Sequence, residues 1–185
     1  RSIAFAPQVV TPNLAFKELF TSRSCASEKI TTVMNSPEPA IFNPARHPIA
    51  KGKPAADRPF ILMYHGLLVE RHGLDLAIQA VAQLRRKIPG LQLHLYGEPT
   101  EYSDKIQALV RALNLEDAVK SHGFKPLDEI AESIAAIDVG LIPNRSSSFT
   151  QINFPTRVFE YLAMHKPVIV PKTKGIKEYF KDDEI

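Results

Sequence analysis

Tryptophan is absent from this 185-residue sequence, and cysteine occurs once, at Cys25. One thiol cannot close an internal disulfide, so the fold rests on packing, and a reducing compartment is its natural setting. No apolar run approaches the roughly 20 residues that a membrane-spanning helix needs. The residues after Arg1 are too mixed for a secretory signal. Charge is nearly balanced, with 23 Lys and Arg against 20 Asp and Glu and a net charge of +3. Such a balance suits an anionic small ligand or an acidic membrane surface and is too weak to indicate nucleic acid. Neither a Walker loop nor a Gly-x-Gly-x-x-Gly turn is present, which argues against a phosphate-cleaving nucleotidase and against a dehydrogenase. The carboxylates lack His or Cys partners at ligand spacing, so no metal is expected.

What is there reads as a folded α/β protein. A hydrophobic fraction of 44% with 23% charged residues excludes general disorder. Prolines crowd the stretch 35–59 (Pro37, Pro39, Pro44, Pro48, Pro54, Pro59), which predicts an extended linker. Ahead of it, Val9–Val10 and Ile30 to Met34 are short strand candidates. Between them a helix is expected, capped by Asn13 or Thr11, with Leu14, Phe16, Leu19 and Phe20 on its apolar face. The expected division is 1–51 as the end of one domain plus linker and 52–185 as a second domain. The missing initiator Met and the charged end Lys181–Asp182–Asp183–Glu184 suggest cuts through a larger protein.

From Phe60 onward, apolar runs alternate with helical spacing. Strands are predicted at Phe60–Tyr64, buried on both faces, at Leu91–Tyr96, Val119–Phe124, Val139–Ile142 and Val168–Val170. Helices are predicted around Leu74–Leu84, Ile106–Leu113, Leu127–Ile134, Phe154–Met164 and Ile176–Phe180. This order specifies a Rossmann-like parallel sheet with helices on both faces. Ligands of such sheets bind beyond the carboxyl ends of the strands. Those ends are His65–Gly66, Gly97–Glu98, His122–Gly123–Phe124 and Pro143–Asn144–Arg145, and glycine at three of them lets a ligand approach the backbone. Pro155 near a helix start, followed by Thr156 and Arg157, offers free N–H groups to an anion. Glu160, farther along, is either a carboxylate for a ribose diol or a solvated helix residue paired with Lys166 or Arg157. His65 and His122 sit at strand ends, where histidine is more often structural than catalytic. No nucleophile or acid–base pair stands out.

The stretch from Pro155 to Ile169, with its core Val158–Phe159–Glu160–Tyr161–Leu162–Ala163, resembles the signature of glycosyltransferase family 4, the retaining enzymes of the GT-B fold. Tyr64–His65–Gly66 through Gly73–Leu74–Asp75 is similar to the first strand and glycine loop of their donor domain. Leu93–His94–Leu95–Tyr96–Gly97–Glu98, His122–Gly123 and Ile137 to Pro143 match further blocks in order. Val33 to Pro37 and Ile41–Phe42 resemble the tail of the acceptor domain.

The resemblance implies the C-terminal, donor-binding half of a two-domain hexosyltransferase. Its substrate would be a UDP- or GDP-sugar and its product a polysaccharide or glycolipid. No cofactor or metal is implied. The acceptor glycan or lipid would be held by the absent N-terminal domain, so the isolated chain is expected to be inactive. A cytoplasmic setting is implied, with room for peripheral contact at the inner face of the membrane. The implied donor site comprises Gly66, Arg71, His72, Gly97, Glu98, Gly123, Phe124, Asn144, Arg145, Pro155, Thr156, Arg157 and Glu160. Glu160 matches the second glutamate of the family's pair, which binds the ribose. The first falls on Ile152, and the family's diphosphate-binding arginine and lysine fall on Leu67 and His72. Arg71, Arg145 and Arg157 are the candidates to restore that charge. Gly97–Glu98 and Gly123–Phe124 would flank the base. A UDP-sugar epimerase of the same fold, and a non-catalytic nucleotide-sugar-binding module, are the alternatives.

Overall fold

The computed structural model describes residues 2–48 and 58–181. In chain order its first elements are α1 (Ser2–Phe5), β1 (Val9–Thr11), α2 (Leu14–Arg23) and β2 (Ile30–Thr32). There follow β3 (Phe60–His65), α3 (Leu74–Leu84), β4 (Leu91–Tyr96), α4 (Glu101–Ala112), β5 (Val119–Ser121) and α5 (Leu127–Ala136). The last are β6 (Val139–Leu141), α6 (Ser148–Ile152), α7 (Arg157–Ala163), β7 (Val168–Ile169) and α8 (Lys174–Lys177). They group into two compact units. One is Arg1–Ser36 with Ser146–Thr156 and Pro171–Ile185; the other is Pro37–Arg145 with Arg157–Val170.

The first unit is a small β-α-β arrangement in which β1 and β2 pair in parallel. Asn13 caps α2: its Oδ1 accepts from Phe16 N–H at 2.9 Å while its Nδ2 donates to the Ile152 carbonyl at 3.0 Å. The helix buries Ala15 and leaves Leu14 43% exposed, so Leu14 is not part of the expected apolar face. Phe16 instead meets Phe149 edge-on at 6.5 Å. Phe154 packs against Tyr179 and Phe180.

That aromatic packing explains why α7 begins at Arg157 rather than Phe154. Phe154 and Pro155 are buried in the first unit, in a segment without helical hydrogen bonding. Pro155 is therefore outside the first helical turn. The proline-rich stretch also departs from the extended form expected of it. Between Glu38 and His47 it folds through turns, with Phe42 N–H bonded to the Glu38 carbonyl at 2.9 Å and Phe42 buried. Residues 49–57 of that stretch, and Asp182 to Glu184 of the charged end, lie outside the described residues.

In the second unit five strands form a fully parallel sheet in the order β5-β4-β3-β6-β7. Alternation on β3 directs Tyr64 into a core shared with Leu74, Ile78, Leu93, Leu95 and Val110. Its neighbour Met63 is buried too, and its carbonyl accepts from the Tyr161 hydroxyl of α7 at 2.8 Å. Only the second half of β3 is buried; Phe60 is 38% exposed, because the strand's first residues stand at the rim of the sheet. β5 is shorter than the run Val119–Phe124 suggests, since His122 leaves the strand with one bond to the Leu95 carbonyl. The expected parallel sheet flanked by helices is what the chain forms. Crossovers run outward from β3 to β4 and β5, then return to β6 and β7, which puts a reversal of strand order between β3 and β6.

Candidate functional site

The carboxyl ends of β3 and β4 open into a cleft of about 270 Å³ within the second unit. His65, Gly66 and Leu67 form one wall; Tyr96, Gly97 and Glu98 form another; Phe124, Lys125, Leu127 and Ile130 close the side toward α5. Close backbone approach builds it. Gly97 N–H bonds to the Gly123 carbonyl, and Gly66 N–H to the Tyr96 carbonyl, both at 2.9 Å. A Cβ on Gly97 would lie 2.1 Å from the Gly66 carbonyl oxygen, so only glycine fits between these two turns. Phe124 is 64% exposed and Leu127 53%, which leaves an apolar lip at the mouth.

Behind His65 and Gly66 stands Arg157, from the first turn of α7. Its Nη1 donates to the His65 carbonyl, and its guanidinium lies 4.7 Å from the centre of the Tyr64 ring. Tyr64 in turn anchors the loop after β3: its hydroxyl donates to the Leu67 carbonyl at 2.7 Å and stands 2.7 Å from His72 Nδ1. Two groups bear directly on Arg157's surroundings. Burial, assisted by the Arg157 charge, lowers the His65 pKa to about 3, so His65 is neutral at physiological pH. Burial raises the Glu160 carboxyl above its ordinary value, while Arg157 opposes that shift. Burial likewise lowers His72.

Glu160 is no solvated helix residue, and it pairs with neither Lys166 nor Arg157. Its side chain is 13% exposed, and Oε2 faces His65 Nε2 at 3.2 Å. The two atoms are within contact distance yet off the line of a hydrogen bond, and neither has another hydrogen-bond partner. Lys166 instead donates to the Ile137 carbonyl at 2.8 Å.

A second grouping forms where the loops after β3 and β6 meet. Arg145 N–H bonds to the Arg71 carbonyl at 2.9 Å, and Arg145 Nη2 pairs with Asp75. Asp75 also accepts from the Tyr102 hydroxyl at 2.9 Å; burial, and then this contact, push that phenol up to about 12. Asn144 is buried, with Oδ1 lacking a hydrogen-bond partner. The Arg71 side chain is exposed. Of the thirteen sequence-derived site residues, Gly66, Gly97, Glu98 and Phe124 line the cleft, and Arg157 and Glu160 back it. Gly123 holds its edge at φ 70°. Arg71, His72, Asn144 and Arg145 belong to the loops after β3 and β6, and Pro155 and Thr156 to the first unit.

Sequence reasoning passed over Tyr96, Lys125, Leu127 and Ile130 as lining residues. Tyr96 carried a usable signal, standing one residue before a strand-ending glycine. Leu127 and Ile130 looked like ordinary helix-face residues. Nothing in the sequence signalled that Asp75 would partner both Arg145 and Tyr102. Among the described residues no group of three or more His, Cys, Asp or Glu is placed to hold a metal, and no helix is long and apolar enough to cross a membrane.

The chain is similar to known proteins in sequence and in fold. The amylovoran biosynthesis glycosyltransferase AmsK of Erwinia amylovora is 29% identical over 158 residues, which is 83% of this chain and 36% of that protein. The lipopolysaccharide core biosynthesis glycosyltransferase LpsE of Rhizobium meliloti is 29% identical over 73% of this chain and 36% of its own length. The chain thus spans little more than a third of each of these relatives. Among solved structures, Anabaena Alr3699/HepE in complex with UDP superposes with a TM-score of 0.78 at 20% identity, over 97% of this chain and 49% of that one. The same protein in complex with UDP-glucose gives 0.77. The profile of the family described as glycosyl transferases group 1 matches residues 46–185. The chain belongs to the glycosyl transferases group 1 family.

Proposed function

We propose that this chain is the donor-binding part of a retaining family 4 glycosyltransferase of the GT-B fold. It would hold a nucleoside diphosphate sugar while an acceptor, bound by the remainder of the protein, receives the sugar in polysaccharide or glycolipid synthesis. One observation carries the reading: a half-apolar cleft at the carboxyl ends of β3 and β4, with a cation, Arg157, and a buried carboxylate, Glu160, behind one wall. The apolar side made by Tyr96, Phe124, Leu127 and Ile130 suits a base, and Arg157 suits a diphosphate. AmsK is named for amylovoran biosynthesis and LpsE for lipopolysaccharide core biosynthesis, and the Anabaena protein was solved with UDP and with UDP-glucose, which supports the substrate class.

The chemistry follows from where charge develops. Breaking the bond between sugar and diphosphate leaves an oxocarbenium-like carbon and an extra negative charge on the departing phosphate. Arg157 is held by the His65 carbonyl and the Tyr64 face, so its charge is fixed before the reaction begins. A fixed donor at developing charge is worth about 10²–10³ in rate. Ile152 stands where the family has its first glutamate, so sugar positioning rests on other groups.

Calorimetry of the chain with UDP, GDP and UDP-glucose tests this reading. Binding at up to millimolar ligand is expected, weakened about ten-fold or more by Arg157→Ala. The absence of heat with all three ligands sinks it. Transfer is expected only from the whole protein, because the orientation supplied by the acceptor-binding part is not replaceable.

A further inference from the structure

The loneliest polar atoms near the cleft are His65 Nε2 and Glu160 Oε2. Both are buried, neither has a hydrogen-bond partner, and they face each other at 3.2 Å. Buried polar groups are seldom left this way, and each such case calls for a reason. His65 ends β3 and lines the cleft, with its ring held edge-on against Tyr161 at 5.2 Å. Glu160 comes from α7, one turn after Arg157. A strand end and a helix therefore bring a ring nitrogen to one oxygen of a carboxylate.

We propose that His65 is a positioning residue for Glu160: its Nε2–H engages one carboxylate oxygen and leaves the other to accept a hydroxyl of the donor's ribose. The inference rests on the donor-binding reading above and adds a residue to it. A bent contact of this kind can straighten when a hydroxyl engages the other carboxylate oxygen. A neutral imidazole suits the task, and burial keeps His65 neutral throughout the physiological range. A charged partner would hold the carboxylate more tightly and draw it from the diol. Tyr161 limits rotation of the imidazole, since its own hydroxyl is tied to the Met63 carbonyl.

The test compares UDP, 2′-deoxy-UDP and uridine, and the matching guanine ligands, on the unmodified chain, His65→Phe, His65→Gln and Glu160→Gln. Phenylalanine preserves the ring and its packing on Tyr161; glutamine restores an N–H near the position of Nε2. The unmodified chain should prefer the ribo over the 2′-deoxy diphosphate by about ten-fold, the value of one hydrogen bond to a charged group. His65→Phe and Glu160→Gln should erase that preference, and His65→Gln should recover most of it. All variants should keep the preference of UDP over uridine, which shows an intact cleft. A His65→Phe chain that still discriminates ribo from deoxy overturns the proposal while donor binding stands. An unmodified chain that binds the diphosphates without discriminating overturns the ribose role of Glu160 and, with it, that of His65. Failure to bind any diphosphate overturns the wider reading.

Discussion

Replacing Gly66 with alanine should injure the cleft twice, by separable routes. Gly66 holds φ at 123°, a region that side chains rarely tolerate, and this strain should cost about 1–3 kcal/mol. In a chain of this size that lowers the melting temperature by about 2–4 °C per kcal/mol. The second route is steric. The new Cβ would lie 2.8 Å from Arg157 Nη1 and 3.3 Å from its Cζ, so the guanidinium must move. Moving it breaks the bond to the His65 carbonyl and lifts it from the Tyr64 face. If Arg157 meets the diphosphate, the lost charge-assisted contact is worth about 1.5–3 kcal/mol, or roughly 10–100-fold in UDP affinity. Uridine, lacking phosphate, should bind nearly as before. Calorimetry on Gly66→Ala, Arg157→Ala and the double variant separates the routes. In the Arg157→Ala background Gly66→Ala should have little further effect on UDP, while its effect on melting persists. Equal losses of UDP affinity in both backgrounds would refute the argument, since the glycine would then act without the guanidinium.

Two further outcomes follow from the packing. Gly140→Ala puts a Cβ 2.5 Å from the fully buried Tyr161 ring, and overpacking of this kind should destabilise the chain by about 1–3 kcal/mol in urea unfolding. Acidification should also destabilise it. His65 falls to about 3 and His94 to about 4 when folded, against 6.5 ordinarily, so the unfolded chain takes up protons first as the pH drops. The stability from keeping these rings neutral is therefore complete above pH 6.5 and fades as the pH falls toward 3 to 4. A melting temperature that is flat from pH 7 to 4.5, or that rises on acidification, would contradict this. His65→Gln should flatten the decline.

Much of the fold was readable because the apolar periods are clean. α3 keeps Leu74, Ala77, Ile78 and Val81 on one buried face, and β4 alternates Leu91, Leu93 and Leu95 inward. The reading failed where distant packing outvoted local pattern. Phe154 and Pro155 look like helix starters, yet contacts with Tyr179 and Phe180, more than twenty residues later, hold Phe154 outside the helix. The cleft's glycines were legible because a tight approach admits few other residues, as Gly97 against the Gly66 carbonyl illustrates. Partner choice was not. Nothing in the spacing says that Arg145 meets Asp75 or that Glu160 faces His65, since 70 and 95 residues separate them in sequence and only the sheet order brings them together.

The chain passes between its two units four times, after Ser36, Arg145, Thr156 and Val170. On a ribosome this has a consequence for timing. The β1-α2-β2 segment emerges before the sheet of the second unit, yet Phe149 and Tyr179, which meet it, are translated more than a hundred residues later. Its early-made surface must wait, wet and unfinished, while the sheet of the second unit is synthesised and able to fold. Newly made chains halted before Tyr179 should therefore draw on chaperones, and proteases should find the waiting β1-α2-β2 segment vulnerable until Tyr179 is made.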